Sequence, residues 1–348
     1  MIEIPIEKWS GKVREITLGA TAAEGGSRVK TVTIGGETTL PFLHFEGAIP
    51  HPPVIAIEIQ DRLPAEWPAI LSQAWNGAPP YGEYYAAAQV RPVVLPVGGC
   101  LVGDVVAWAK AAEGAGADLI LLKFALNDEL TPTYARQTLR RVLEATGLPL
   151  LVFGPGQAGL DNEILVAVAE EGKGENLVLG VCEDKNYRTI VAAALAHGHR
   201  VNARSPMDVN LCKQLIILIN DMGLPLERII MDPTTGALGY GIEYGYSVME
   251  RLRIAALQGD SMTQQPMLVT PGEEAWRTKE ARTGNGVPTA WGEWAERAIN
   301  WEALTASTLL ESGADIVVLR HPESVKRVRA MINALIHRYV PLRDEERR

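Results

Sequence analysis

Apolar and polar positions along this chain fall into a repeating pair of patterns. From Pro53 onward, a short apolar run is followed by a segment with apolar residues at helical spacing, and the pair then recurs. The stretch from Arg200 to Gly245 shows the unit plainly. Val201-Asn202-Ala203 ends in Arg204-Ser205, and Ile229-Ile230-Met231 ends in Asp232-Pro233-Thr234. Between them lies one amphipathic segment, Met207 to Met222, closed by Gly223. This reads as strand, helix, strand, and a parallel pair joined in this way needs a right-handed crossover.

The same rhythm predicts strands at 54–59, 119–123, 150–153, 177–181, 201–203, 229–231, 267–269 and 316–319. Helices are predicted over 104–114, 131–146, 161–171, 186–197, 207–222, 246–257, 291–312 and 323–337, with a shorter segment at 273–281. Thr131-Pro132 is a favourable helix start, because the missing Pro N–H would be unpaired there in any case. Eight strand–helix pairs in one unbroken series predict a (β/α)8 TIM barrel, with a doubly wound open sheet as the alternative. No internal sequence repeat is visible.

Two regions depart from the rhythm. Val13 to Leu18 and Val29 to Ile34 alternate and are β-branched, with Gly25-Gly26 between them. They read as a β-hairpin able to plug the bottom of a larger fold. Arg62 to Gly99 is rich in Pro, Tyr, Trp and Gly, and is too long for a bare loop. An elaborated first βα loop with short local structure, projecting from the domain, is expected there. The expected organisation is an N-terminal hairpin extension packed on the barrel (1–50), the barrel (51–340) and a disordered charged tail (341–348).

Composition narrows the classes. The chain has 348 residues, 47% hydrophobic and 22% charged, enough for a large core. A formal charge of -9 argues against nucleic acid or an anionic membrane as partner. No apolar run reaches the roughly 18 residues that span a bilayer, and MIEIPIEKWSG lacks a signal pattern, so a cytoplasmic location is expected. Cys100, Cys182 and Cys212 form no C-x-x-C pair. They are expected as buried free thiols, not as ligands of an iron–sulfur cluster or zinc.

In a barrel, chemistry sits at the carboxyl ends of the strands. Those positions here are Gln60, Asp61, Lys123, Gly154, Cys182, Glu183, Asp184, Arg204, Ser205, Asp232, Thr234, Thr270, Arg320 and His321. No H-x-x-x-H, H-E-x-x-H or G-x-S-x-G occurs. Asp232 before Pro233 is either a cap for the next segment or a functional carboxylate. Arg204 either grips a carboxylate or phosphate or pairs with Asp232. Lys123 is either a Schiff-base lysine or one half of a rim ion pair, the simpler reading. GPGQAG (Gly154 to Gly159) does not match the dinucleotide fingerprint. Gly236 to Gly245, flanked by Tyr240, Tyr244 and Tyr246, is either an ordered loop or a low-relief surface for a flat ligand or partner domain.

Several stretches carry a family resemblance: LGATAAEGGSR (18–28), LPFLHFEG (40–47), ARSPMDVNLCKQLIILINDMGLP (203–225), MDPTTGALGYGIEYGYSVMERLRIAALQGD (231–260), EAWRTKEA (274–281) and LRHPE (319–323). Together they resemble the small subunit of the corrinoid iron–sulfur protein, whose archaeal counterpart is the delta subunit of the acetyl-CoA decarbonylase/synthase complex. The likeness runs from about residue 12 to 338 and is weakest over Pro64 to Gly99. It implies a (β/α)8 barrel paired with a large subunit that carries a [4Fe–4S] cluster and a corrinoid (cobalamin). It further implies a methyl carrier that takes its methyl group from a methyltetrahydrofolate or methyltetrahydropterin methyltransferase. That methyl passes to acetyl-CoA synthase in the Wood–Ljungdahl pathway of carbon fixation.

In this reading the chain is not catalytic alone. It holds no iron–sulfur cluster, and its barrel mouth covers the cobalt cofactor brought by the partner. The D-x-H-x-x-G cobalt-ligand motif is absent here. The cofactor contact is expected on the loops after strands five to eight, at Arg204, Ser205, Asp232, Thr234, Gly236, Gly239, Tyr240, Gly241, Thr270, Arg320 and His321. The competing hypothesis is a free-standing barrel methyltransferase gripping a pterin through Asn202, Arg204 and Asp232.

Overall fold

In the computed structural model, residues 5–64, 67–76 and 103–337 are described. Eight parallel strands close into a barrel: β3 (Val54–Gln60), β4 (Leu119–Lys123), β5 (Leu150–Phe153), β6 (Val178–Cys182), β7 (Arg200–Arg204), β8 (Ile229–Asp232), β9 (Met267–Val269) and β10 (Ala314–Leu319). Closure is made by β10, which pairs with β3 on one side and β9 on the other. The barrel expected from the sequence is therefore present, and the open sheet is excluded. The first connection holds α1 (Ala69–Asn76) and α2 (Val105–Gly114). Helices α3 (Pro132–Ala145), α4 (Ala158–Glu171), α5 (Tyr187–His197) and α6 (Val209–Asp221) follow β4 to β7. Next come α7 (Ile242–Leu257), the short α8 (Pro271–Ala275) and α9 (Lys279–Arg282), α10 (Trp294–Glu311) and α11 (Pro322–His337).

Local chemistry sets the helix starts. The Asp104 side chain accepts from Val106 N, Thr131 from Tyr134 N, and Asp208 from both Asn210 N and Leu211 N. Helix α7 begins four residues before the expected Tyr246, because Gly241 at φ 92° ends the preceding loop.

The N-terminal strands β1 (Ile16–Leu18) and β2 (Val32–Ile34) pair antiparallel. Ile16, Leu18 and Ile34 pack against the inward residues Val54, Leu119, Leu151, Val178, Ile230, Leu268 and Ile316, so the hairpin stoppers the barrel floor. Both strands are shorter than their sequence runs. Val13 N donates to Glu37 O, Arg14 N to Gln264 O, and Val29 N to Gly147 O, so the outer residues bond elsewhere instead of lengthening the ladder.

The described part of the first βα loop does not project. Ile70, Leu71 and Trp75 of α1 are buried, and Ile70 and Leu71 form a separate apolar cluster with Trp276, Ala281 and Ala298. Most of the remaining loop, Cys100 and the charged tail at 341–348 lie outside the described residues.

Candidate functional site

The carboxyl rim divides into two unlike halves. Over β10, β3 and β4 the rim is closed. Glu58 points inward from an otherwise apolar strand and is fully buried. Arg320 meets it with two parallel bonds, Nε to Oε2 at 2.9 Å and Nη2 to Oε1 at 2.7 Å. Gln60 Nε2 donates to the same carboxylate at 2.6 Å. The Arg320 guanidinium lies 4.9 Å from the Trp67 ring centroid, and Trp75 Nε1 donates to Arg320 O at 2.9 Å. Segment 67–76 thus covers this pair and shuts it off from water.

Beside it, Lys123 Nζ pairs with Glu273 Oε1 at 2.7 Å, and Arg277 Nη2 bonds the same oxygen at 2.6 Å. Lys123 is the rim ion pair of the simpler reading. Burial alone would push the Glu273 carboxyl up, but Lys123, Arg320 and Arg277 outweigh it and hold the group below the usual carboxylate range.

His321 is fully buried and stacked on Trp276, with ring centroids 5.9 Å apart. Its Nδ1 accepts from Glu323 N, and burial lowers its pKa to about 3, so it stays neutral. Glu302 of α10 accepts from Arg320 N and His321 N and fixes the end of β10. Thr270 is also buried, with its N–H on Thr235 Oγ1 at 2.8 Å. Arg320 and His321 therefore sit in the sealed half, and Thr270, after β9, is buried against Thr235 of the loop after β8; none of the three lies on an open surface.

Over β6, β7 and β8 the rim is open. Asp232 is the hub. Its Oδ2 accepts from Arg204 Nε at 2.8 Å and Asn202 Nδ2 at 3.0 Å, and its Oδ1 accepts from Thr234 N at 3.0 Å. Asp232 is both the turn cap and the Arg204 partner that its position suggested. This turn holds Thr234 at φ 64°, a region that costs a β-branched residue on the order of 1–3 kcal/mol. The Thr234 hydroxyl donates to Ser205 O, which ties the loops after β7 and β8 together.

Arg204 keeps part of its donor fork unused. Its side chain is 22% exposed, and Nη2 is buried with no acceptor among the described residues. An unmade bond of this kind costs about 1–3 kcal/mol.

In front of Arg204 lies a cleft of about 560 Å³, within the range of small-molecule sites. Arg204, Ser205 and Thr234 line it, facing Leu211, Leu215 and Leu218 of α6. Glu183, Asp184 and Lys185 form its outer wall, with Lys185 Nζ on Glu183 Oε2 at 2.7 Å.

The glycine loop follows Thr234 and leans toward α9 and α10, with Leu238 N on Thr305 Oγ1. A Cβ on Gly236 would lie 2.5 Å from Gly241 O, so the loop folds back on itself only with glycine there. Gly239 and Gly241 take φ 74° and 92°. Tyr240 and Tyr244 stand exposed at 48% and 65%, and Tyr240 OH donates to Glu280 Oε2 at 2.9 Å. By contrast, GPGQAG is closed on its own side chain. Asp161 Oδ1 accepts from Gly156 N at 2.9 Å and lies 2.3 Å from where a Gly154 Cβ would be.

The structure thus gathers Arg204, Ser205, Thr234, Asp232 and the loop of Gly236, Gly239, Tyr240 and Gly241 at the open rim. Sequence reasoning did not single out Glu58, Glu273, Trp67, Trp75 or the α6 leucines. Glu58 had a usable signal: it shares a strand face with Gln60 inside an apolar run. Cys182 and Cys212 are free and buried, and burial pushes the Cys212 thiol up to about 12. Among the described residues, no group of three or more His, Cys, Asp or Glu side chains is placed to hold a metal.

A family model described as the CO dehydrogenase/acetyl-CoA synthase delta subunit matches residues 100–335. The acetyl-CoA decarbonylase/synthase complex subunit delta of Archaeoglobus fulgidus is 35% identical over 339 residues, covering 94% of this chain and 70% of that relative. The subunit of the same name from Methanopyrus kandleri is 34% identical over 324 residues, covering 91% and 74%. Among solved structures, Xanthomonas albilineans dihydropteroate synthase with 4-aminobenzoic acid superposes with a TM-score of 0.53. That match has 12% identity and covers 83% of this chain and 94% of that one. Such identity speaks for the barrel alone. Family model and relatives agree: the chain belongs to the CO dehydrogenase/acetyl-CoA synthase delta subunit family.

Proposed function

We propose that this chain is the small subunit of a two-chain corrinoid iron–sulfur protein, and that the open half of its barrel rim covers a corrinoid carried by the larger partner. Complex membership is taken from the names of the relatives. In this reading the partner brings the [4Fe–4S] cluster and the cobalt. A methyltetrahydrofolate or methyltetrahydropterin methyltransferase donates the methyl group, acetyl-CoA synthase receives it, and all act in the cytoplasm. No helix among the described residues is long and apolar enough to cross a membrane.

The observation that carries the reading is the contrast in the rim. The charges of one half are paired and sealed. The other half offers a guanidinium that is 22% exposed and bonded to Asp232 through Nε alone, a cleft and a glycine-rich loop. These residues fit a flat, mostly uncharged macrocycle. Arg204 supplies a hydrogen-bond donor, Gly239 and Gly241 backbone free of side chains, and Tyr240 and Tyr244 an apolar margin.

When bound, the corrinoid supplies a cobalt that accepts and releases a methyl group. This chain's residues exclude water from that face and hold the ring in register. Asp232 fixes Arg204 for this task, and its two oxygens are already committed to Asn202, Arg204 and Thr234 N.

The test is co-expression with a corrinoid-carrying large subunit. A stable heterodimer is expected, with a cobalt spectrum that differs from that of the large subunit alone. Methyl transfer from a methyl-pterin to free cobalamin by the purified chain alone would overturn the proposal.

A further inference from the structure

The cleft in front of Arg204 has a chemistry more selective than general coverage of a ring. Its inner end holds a guanidinium whose charge is already matched, since Arg204 Nε is on Asp232 Oδ2 at 2.8 Å. Its outer wall carries Glu183 and Asp184, and the nearby Lys185 is held by Glu183 at 2.7 Å. A carboxylate or phosphate entering here meets the Asp184 carboxylate, a Glu183–Lys185 pair with no net charge, and a guanidinium already matched by Asp232, so the net charge it meets is negative. A neutral group that both accepts and donates suits each end: a carbonyl oxygen for the open part of the Arg204 fork, N–H groups for the acidic wall. Leu211, Leu215 and Leu218 line the space between, which suits a short apolar stem. A primary carboxamide on an alkyl stem meets all three conditions.

Corrinoids carry a ring of such arms, in which hydrolysis converts an amide to an acid of nearly equal size. We infer that this cleft receives carboxamide arms at the edge of the corrinoid, and that Arg204 with Glu183 and Asp184 selects amide arms over carboxylate arms. The inference rests on the covering role proposed above and adds a specificity to it. Arg204 is the binding residue, Asp232 positions it, and the wall of Glu183, Asp184 and Lys185, negative by one charge, acts by repelling a charged arm.

The test uses the full-length chain combined with its large partner subunit freed of cofactor. Cobinamide, whose arms are amides, and cobyrinic acid, whose arms are carboxylates, are each titrated at neutral pH. Visible absorbance is the readout, and the partner alone serves as reference. This chain is expected to tighten cobinamide by about tenfold more than cobyrinic acid, a difference of about 1.4 kcal/mol. Arg204→Gln should remove most of the gain for cobinamide. Glu183→Gln combined with Asp184→Asn changes only outer-wall residues and keeps the test valid if Arg204→Gln does not fold. It should raise affinity for the acid and shrink the preference to about threefold or less. Equal tightening of both corrinoids, or a preference unchanged in the double variant, overturns the selection while leaving the covering role intact. No tightening of either corrinoid removes the covering role, and this inference with it.

Discussion

The two halves of the rim use the same residue types for opposite ends. Over β10 and β3, Arg320 meets Glu58 with both prongs of its fork, and Trp67 and Trp75 close over them. Over β7 and β8, Arg204 meets Asp232 through Nε alone; its guanidinium lies 6.0 Å from the Phe153 ring centroid, and no tryptophan among the described residues covers it. The first arginine is saturated and sealed. The second is held in place yet left with donors to spare. An arginine–carboxylate pair is thus not a functional signal in itself; what separates the two is whether the chain spends further residues on covering it.

The largest expected effect breaks the sealed half. Arg320→Ala strands the buried Glu58 carboxylate and removes the partner under Trp67, at a cost of about 3–5 kcal/mol in a urea unfolding experiment. Replacing Glu58 and Arg320 together with apolar residues of similar volume should cost much less. A loss in the double variant equal to that of Arg320→Ala would mean the pair is not coupled as the geometry requires.

Acid sharpens the same contrast. Burial lowers His321 to about 3 and His199 to about 4. Both stay neutral in the native protein, while the unfolded chain takes up protons below roughly pH 6.5. The contribution of these two histidines is therefore full above that pH and falls as acid is added, by up to about 1.4 kcal/mol per pH unit for each, until the native pKa is reached. His321→Gln should lower the slope by the His321 share. An unchanged slope would show that His321 is not the sealed, neutral group described.

On the open side, Asp232→Asn weakens a charged bond to a partly exposed arginine and should cost about 1.5 kcal/mol in the same assay. Its main readout is mobility of the loops after β7 and β8 by hydrogen exchange, with α1 unaffected. Smallest is Tyr240→Phe, which removes one exposed bond to Glu280 and should change stability by no more than about 0.5 kcal/mol. Partner association measured by calorimetry should be retained, since the ring supplies the apolar margin. Tyr240→Ser should weaken it.

Much of this architecture was legible in the sequence, because parallel strands buried on both faces read as continuous apolar runs and helix starts carry their own caps. Asp232 and Arg204 were legible as a pair because both end adjacent strands. In the sealed half Lys123 was legible as one member of an ion pair, but the partners were not. Lys123 meets Glu273, and Glu58 meets Arg320, across long sequence separations that no local pattern reports. The same holds for α1, whose Ile70 and Leu71 find Trp276, Ala281 and Ala298 far along the chain, so residues 67–76 read as part of a projection when they are a cover.

The hairpin at the floor has a consequence for how the molecule is made. Ile16, Leu18 and Ile34 precede every barrel strand in the chain, yet their seat includes Leu268 and Ile316 of the last two strands. The full seat exists only once β10 has been made and the ring has closed, so the floor is a contact of long sequence separation that forms late in folding.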